Sequence, residues 1–311
     1  MTFPNLPDGF SQPYKRSLWN IFKVIRQSDL VYVRVHTEGF TKCIPFIARL
    51  FGKNVIVEIN GLPDELKLNK QYSERKIQQI DRSLRRWLRF ANAVIAVSPM
   101  LHDYCVRYLK CRNVFVIQNG GERFVWSNLQ VEDDFKTAVD DICKIHKKIA
   151  VWSGTSNPWQ GMDMIQKMAA LHRSEVGIIL ISNDVTVRQM FEACDHVYVF
   201  DGLNRDAIAY ILLHADVGLA LYGPHSWSRY NDYYGSSLKY FEYRANGLCV
   251  VATPSGHLAN VQSEDVFVSG NVADMCDWIE RVANRRAANN PYRSWSDVAR
   301  ETEQVIKQFM Q

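Results

Sequence analysis

A chain of 311 residues with 47% apolar and 23% charged residues has the length of about two domains and the composition of a globular protein with substantial cores. No apolar run reaches the roughly 18 residues of a spanning helix, and the N-terminus lacks the charged and apolar regions of a signal peptide. The seven cysteines are scattered, odd in number and without a C-x-x-C pair, which points to reduced core residues in a cytoplasmic protein and away from a zinc site.

The net charge of +4 is unevenly divided. Residues 1–150 hold 24 Lys+Arg and 15 Asp+Glu, a net +9, whereas residues 151–311 hold 13 and 18, a net −5. The basic half suits an anionic surface or polymer.

In chain order, residues 1–11 are irregular and 12–27 form a helix with Leu18, Ile21, Phe22 and Ile25 on one face. Strands follow at 30–35 and 55–59, with a short helix over 39–51 between them, and Asn60-Gly61-Leu62-Pro63 is a turn. A long helix over 71–91 carries Arg75, Lys76, Arg82, Arg85, Arg86 and Arg89. Strand 93–97 leads to Ser98-Pro99, an N-cap followed by a first-turn proline. Strand 114–117 ends at Asn119-Gly120-Gly121. The polar stretch 127–147 contains the interdomain linker. A second alternation then runs through strands at 149–152, 177–181, 197–200 and 217–221, with helices after Gly161 and over 184–194 and 204–214. A loop over 222–234 rich in Tyr, Trp and Ser precedes the last units: a strand at 266–268 and helices at 271–285 and 292–310. Two blocks of alternating unbroken apolar strands and helices predict two parallel-sheet domains.

One stretch, 235–261, concentrates chemistry. Gly235-Ser236-Ser237 opens a helix whose Leu238, Phe241 and Ala245 share one face and whose Lys239, Glu242 and Asn246 share another. Gly247 caps it, the strand Leu248–Ala252 follows, and Thr253-Pro254-Ser255-Gly256 is a loop at that strand's carboxyl end, where open α/β sheets hold ligands. Free N–H groups and the positive helix end suit a phosphate, and Glu242 suits a ribose. The plainer alternative is a helix–strand unit with a solvated Lys/Glu face.

Four segments in order resemble the GT-B glycosyltransferases of the retaining group called glycosyltransferase family 4: "DLVYVR" with "GKNVIVEINGLPDE", "ANAVIAVSPMLHDY" with "NVFVIQNGGERF", "IAVWSGTSNPWQGMDMI", and "ADVGLALY" with "SSLKYFEYRANGLCVVAT". The resemblance implies an acceptor-side Rossmann-like domain over 1–145, a nucleotide-sugar donor domain over 146–290, and a C-terminal helix over 291–311 packing back on the first. It implies sugar transfer with retention from a nucleoside-diphosphate sugar to a hydroxyl of a glycan or lipid-linked acceptor, without metal or other cofactor, in polysaccharide or glycolipid synthesis. Carried over by position, Glu242 binds ribose, Ser236, Ser237 and Leu238 form the amide turn over the diphosphate, Gly154 and Gly161 belong to the first donor loop, and Lys239 assists departure of the diphosphate.

The chain departs from the family pattern at several positions. Tyr234 stands where a glutamate contacts the donor sugar, and Thr155 and Gln160 replace a basic pair in the donor loop. Asn60 replaces a histidine beside the reacting sugar and can only hydrogen-bond. Arg229 or Lys239 is the candidate for the missing positive charge. Family members begin with further β/α units, so the resemblance implies an incomplete first domain whose 30–35 strand is an exposed edge.

These departures favour a second reading, a non-catalytic nucleotide-sugar-binding protein or inactive remnant. A nucleotide-sugar epimerase is a third. The basic 71–91 helix suits peripheral contact with anionic membrane on the cytoplasmic side. Nucleic acid is not expected, because no binding motif accompanies the charge. Tyr222, His225, Trp227, Tyr230, Tyr233 and Tyr234 of the loop either stack on a sugar or base or pack at the surface. His102 is expected on an exposed helix face.

Overall fold

The computed structural model describes residues 18–36, 38–171, 175–282 and 291–310. The first unit runs α1 (Leu18–Gln27), β1 (Leu30–Arg34), α2 (Ile44–Leu50), β2 (Asn54–Ile59), α3 (Glu65–Asn69), α4 (Glu74–Leu88), β3 (Ala93–Ala96), α5 (Pro99–Arg107) and β4 (Val114–Val116). The second runs α6 (Asp133–Ile145), β5 (Lys148–Ser153), α7 (Met162–Leu171), β6 (Val176–Ile181), α8 (Val185–Phe191), β7 (Val197–Phe200), α9 (Arg205–His214), β8 (Val217–Ala220), α10 (Leu238–Ala245), β9 (Cys249–Ala252), β10 (Val266–Val268) and α11 (Val272–Arg281). The last helix is α12 (Trp295–Gln308). The expected helix over 12–27 begins outside the described residues, as does the end of the one expected over 271–285.

Both sheets are wholly parallel. The first has four strands in the order β1-β2-β3-β4, the second six in the order β10-β9-β8-β5-β6-β7. Parallel pairing needs helical crossovers on both faces, which explains the unbroken apolar runs: every residue of β3, β6, β8 and β9 is buried. Among the described residues β1 is an edge strand, with Tyr32 exposed.

The order of the second sheet creates a crevice. The chain leaves β5 toward β6 and β7, then returns to lay β8 on the other side of β5. The loops after β5 and β8 therefore diverge, and a ligand fits between them at the carboxyl ends of the strands.

One expectation needs correction. The polar stretch 127–147 holds helix α6, because Val139 and Ile142 supply an apolar face that packs into the core of the second sheet with Ile149, Val151 and Ile179. The change from one core to the other thus falls before α6, ahead of residue 145. Helix α12 lies on the first sheet: Val305 is buried with Ile56, Ala93, Ile95 and Ile117, and Asn54 donates to the Phe309 carbonyl at 2.5 Å. No helix among the described residues is long and apolar enough to cross a membrane.

Candidate functional site

A cavity of about 740 Å³ lies between the carboxyl ends of the two sheets. Its first-domain wall includes Arg34, Glu58, Asn60 and Glu65, and its second-domain wall includes Gly154, Gln160, Gly235, Ser236, Lys239 and Glu242. The segments that build it are the ends of β1 to β5, the loop 222–234, the first turns of α10 and one side of α12.

Helix α10 sits differently from the expected wheel. Leu238 is 55% exposed, whereas Lys239 is only 9% exposed and is buried along with Phe241, Tyr243 and Ala245. Two neighbours sandwich the helix. Tyr243 fills the space above Gly218 in β8, and Gly121 comes so close on another side that a Cβ there would lie 2.1 Å from the Phe241 carbonyl oxygen. A helix packed on several sides has no single apolar stripe to mark it.

Lys239 is the notable charge. Its Nζ donates to Gln160 Oε1 at 2.9 Å and lies 4.8 Å from the Trp152 ring and 5.2 Å from the Tyr222 ring. No carboxylate pairs with it among the described residues. Burial pushes its pKa down to about 7. Gln160, neutral where the family pattern has a lysine, is its hydrogen-bond acceptor. Glu242, one turn further along α10, also faces the cavity, and burial raises its pKa.

Further polar atoms point to a polar ligand. Asn60 Oδ1 and Trp227 Nε1, both on residues of the cavity wall, are buried without a hydrogen-bond partner among the described residues. Such atoms cost stability unless something satisfies them. The Ser236 and Leu238 N–H groups have no acceptor among the described residues.

Other sequence-predicted residues stand elsewhere. Ser237 is fully buried behind the wall. Its N–H donates to His257 Nε2 at 2.9 Å, and its Oγ receives the Tyr222 hydroxyl at 2.8 Å and caps α10. This corrects its expected place in the amide turn over a phosphate. Burial pushes His257 down to about 4, so it is neutral and able to accept. The Gly154 N–H is spent on the Ile181 carbonyl at 3.1 Å, although the residue lines the cavity. Gly161 adopts a left-handed φ of 72°, with Leu221 where a Cβ would point. Neither Gly161 nor Thr155 is on the wall. Thr155 Oγ1 accepts from Asn157 instead, at 2.8 Å.

The loop 222–234 docks on the first domain. Arg229 donates to Asp64 at 2.8 Å and to Asp81 at 3.1 Å, and its guanidinium lies 4.8 Å from the Tyr104 ring. Burial works against its charge, but the two carboxylates outweigh it and raise its pKa. Arg229 therefore does not supply the cavity's missing positive charge. The Tyr230 hydroxyl donates to Asp103 at 3.0 Å. Tyr234 is buried in the core of the first domain and donates to Glu65, and Ser98 donates to the Tyr234 carbonyl. Its ring thus bridges the domains while still forming part of the wall. Tyr222 stacks on Tyr233 at 3.8 Å.

Sequence reasoning did not single out Arg34, Glu65, Trp227 as a donor, or His257 as a partner of Ser237. Glu65 lay within the segment "GLPDE", and its separation from Tyr234 by 169 positions left no local signal.

No protein-family model and no curated protein matches the sequence. Solved structures do resemble it. Anabaena HepE in complex with UDP-glucose is 14% identical, with a TM-score of 0.65 over 93% of this chain and 81% of that one. Sucrose-phosphate synthase from Thermosynechococcus elongatus is 14% identical, with a TM-score of 0.63 over 90% and 73%. A glycosyltransferase from Rickettsia africae is 14% identical, with a TM-score of 0.61 over 97% and 84%. With two Rossmann-like parallel sheets facing one cleft, the fold of this chain is GT-B.

Proposed function

We propose that the chain is a glycosyltransferase of the family 4 type, moving a sugar with retention from a nucleoside-diphosphate sugar to a hydroxyl of a glycan or lipid-linked acceptor. The observation that carries this reading is Lys239: a buried ammonium at the cleft wall with a neutral hydrogen-bond partner and no carboxylate. A buried charge without a counter-charge is costly, and a diphosphate offers one. Glu242 sits one turn away to accept from ribose hydroxyls, and the unpaired N–H groups of Ser236 and Leu238 complete the anion cradle. The HepE structure with UDP-glucose supports a uridine nucleotide as donor.

In the reaction, the bond between the anomeric carbon and the diphosphate oxygen breaks as the acceptor oxygen attaches on the same face, and the proton of the acceptor hydroxyl passes to the departing diphosphate. Lys239 and the amide turn stabilise the negative charge growing on the leaving diphosphate. The acceptor approaches along the wall of Arg34, Glu58, Asn60 and Glu65. No metal is required for these steps, and a cytoplasmic location follows from the need for nucleotide sugar.

Tyr234 favours a second reading, a nucleotide-sugar-binding protein without turnover. It stands at the sequence position where the family pattern has the sugar-contacting carboxylate, and its hydroxyl is held by Glu65. Titration calorimetry and product analysis with UDP-, GDP- and ADP-sugars separate the two readings. Binding with transfer or hydrolysis supports the enzyme, and binding without turnover supports the second reading. Failure of every donor to bind, or binding unaffected by Glu242→Ala, overturns the site.

A further inference from the structure

A second recess lies at the opposite end of the first sheet from the cleft. It has a volume of about 840 Å³, and its floor is the start of β3, at Ala93 and Val94. Its walls carry Arg82, Arg85, Arg86 and Arg89 from the end of α4, and Lys110 and Arg112 from the turn after α5. No acidic residue lines it. None of the six cations makes an ion pair or a side-chain hydrogen bond among the described residues, and Arg89 alone has a ring partner, lying 4.7 Å from Phe90. The nearest carboxylate along the helix, Asp81, is engaged by Arg229 and Tyr104.

Positions 82, 85, 86 and 89 repeat at i, i+3, i+4 and i+7, so the helix stacks four like charges on one face, an arrangement that destabilises it. The negative end of the helix dipole offsets this for the last turn only. It does not account for Lys110 and Arg112 on the facing wall. Lys110 moreover holds a left-handed φ of 58° at the end of α5, where Gly or Asn is usual. The chain thus places a cation where backbone geometry disfavours a side chain.

We infer that this recess is a binding site for an anion carrying several phosphate groups, separate from the nucleotide-sugar cleft. Guanidinium forks match phosphate oxygens in pairs, and a concave arrangement from two elements suits a discrete cluster of charge. The same chemistry comes from a soluble polyphosphorylated molecule or from the headgroups of an anionic lipid surface. The site does not depend on the cleft's being a glycosyltransferase centre.

Calorimetric titration of the full chain with sodium tripolyphosphate tests the site. One arm uses the soluble anion; the other uses sedimentation with vesicles of phosphatidylcholine, with and without phosphatidylglycerol. We expect saturable binding in at least one arm, weakened at least tenfold by Arg86→Ala with Lys110→Ala and progressively lost as salt rises. The pair Lys144→Glu with Lys167→Glu changes net charge on the other domain and should leave binding intact, as should Arg34→Ala in the cleft. Binding to tripolyphosphate alone marks the source as soluble, and binding to anionic vesicles alone marks it as lipid. No binding in either arm overturns the inference. So does binding that the recess variants leave unchanged, or that Arg34→Ala abolishes. All the substituted recess residues are exposed, and thermal melts of the variants verify that they fold.

Discussion

Two cations largely withdrawn from solvent stand ten positions apart in the chain and live in opposite circumstances. Arg229, in the loop 222–234, is enclosed by Asp64 and Asp81 of the other domain. Lys239, in α10, is buried beside Gln160 and two aromatic rings, with no carboxylate. The first has its counter-charge within the fold, so it joins the domains. The second lacks one among the described residues, so burial lowers its pKa, and on the proposed function an incoming anion would hold it in the charged form. Burial alone does not distinguish a structural cation from a functional one; the presence of a partner does.

The sharpest way to break this contrast is Arg229→Met. It leaves Asp64, which is 0% exposed, with Lys67 as its remaining cation and removes one of the links between the domains. Loss of one partner of a buried ion pair costs about 3–5 kcal/mol, read as a fall in the denaturation midpoint. Adding Asp64→Asn should recover part of it. Lys239→Met should have the reverse profile. Stability stays level or rises, while UDP affinity falls roughly 10–100-fold, the worth of a charged hydrogen bond of about 1.5–3 kcal/mol. If Lys239→Met unfolds the chain and leaves affinity intact, the contrast fails.

A smaller effect is expected from Tyr234→Phe. It removes the hydroxyl that Glu65 accepts and should destabilise by about 1–2 kcal/mol. Acceptor turnover measured in parallel shows whether Glu65 also serves the chemistry.

The pH dependence sharpens the comparison most gently. Burial sets Lys239 at about 7 in the folded, unliganded chain, below its ordinary value. Between these two values the unfolded chain holds more protons, so stability should rise with pH across that window and be level below about 7. A bound diphosphate favours the ammonium form, so binding above pH 7 should take up a proton and weaken as pH rises. Calorimetry in buffers of different ionisation enthalpy measures that proton, and Lys239→Met should abolish its uptake. His257, set at about 4, adds a second window: its neutral form holds the Ser237 N–H, so stability should fall as pH drops from about 6.5 toward about 4.

The sheets were legible because their strands are unbroken apolar runs between turn residues, as in Val55-Ile56-Val57 and Val250-Val251-Ala252. Ser98 as an N-cap was legible for the same local reason. Helix α6 was obscured by its charged outer face, which hid Val139 and Ile142. The placement of Lys239 escaped the helical wheel because α10 is packed on more than one side, so spacing favoured Leu238 for the interior. The docking of the loop 222–234 rests on contacts across 165 and 148 positions, which no local pattern records. The basic face of α4 was visible in the sequence, but Lys110 and Arg112, which turn it into a recess, were not.

Gly121 links these regions. It bonds through its N–H to the Arg293 carbonyl, just before α12, and lies against the backbone of α10, while Asn119 holds Ser236 by two hydrogen bonds of 2.9 Å. The chain crosses between domains at a point that touches both α10 and the entry to α12. A rotation of one domain against the other must therefore shift α10 and its Glu242, so opening the cleft and loosening the nucleotide seat become one motion. A side chain at Gly121 would wedge that joint apart and, on the proposed function, would be expected to weaken nucleotide binding and lower turnover together.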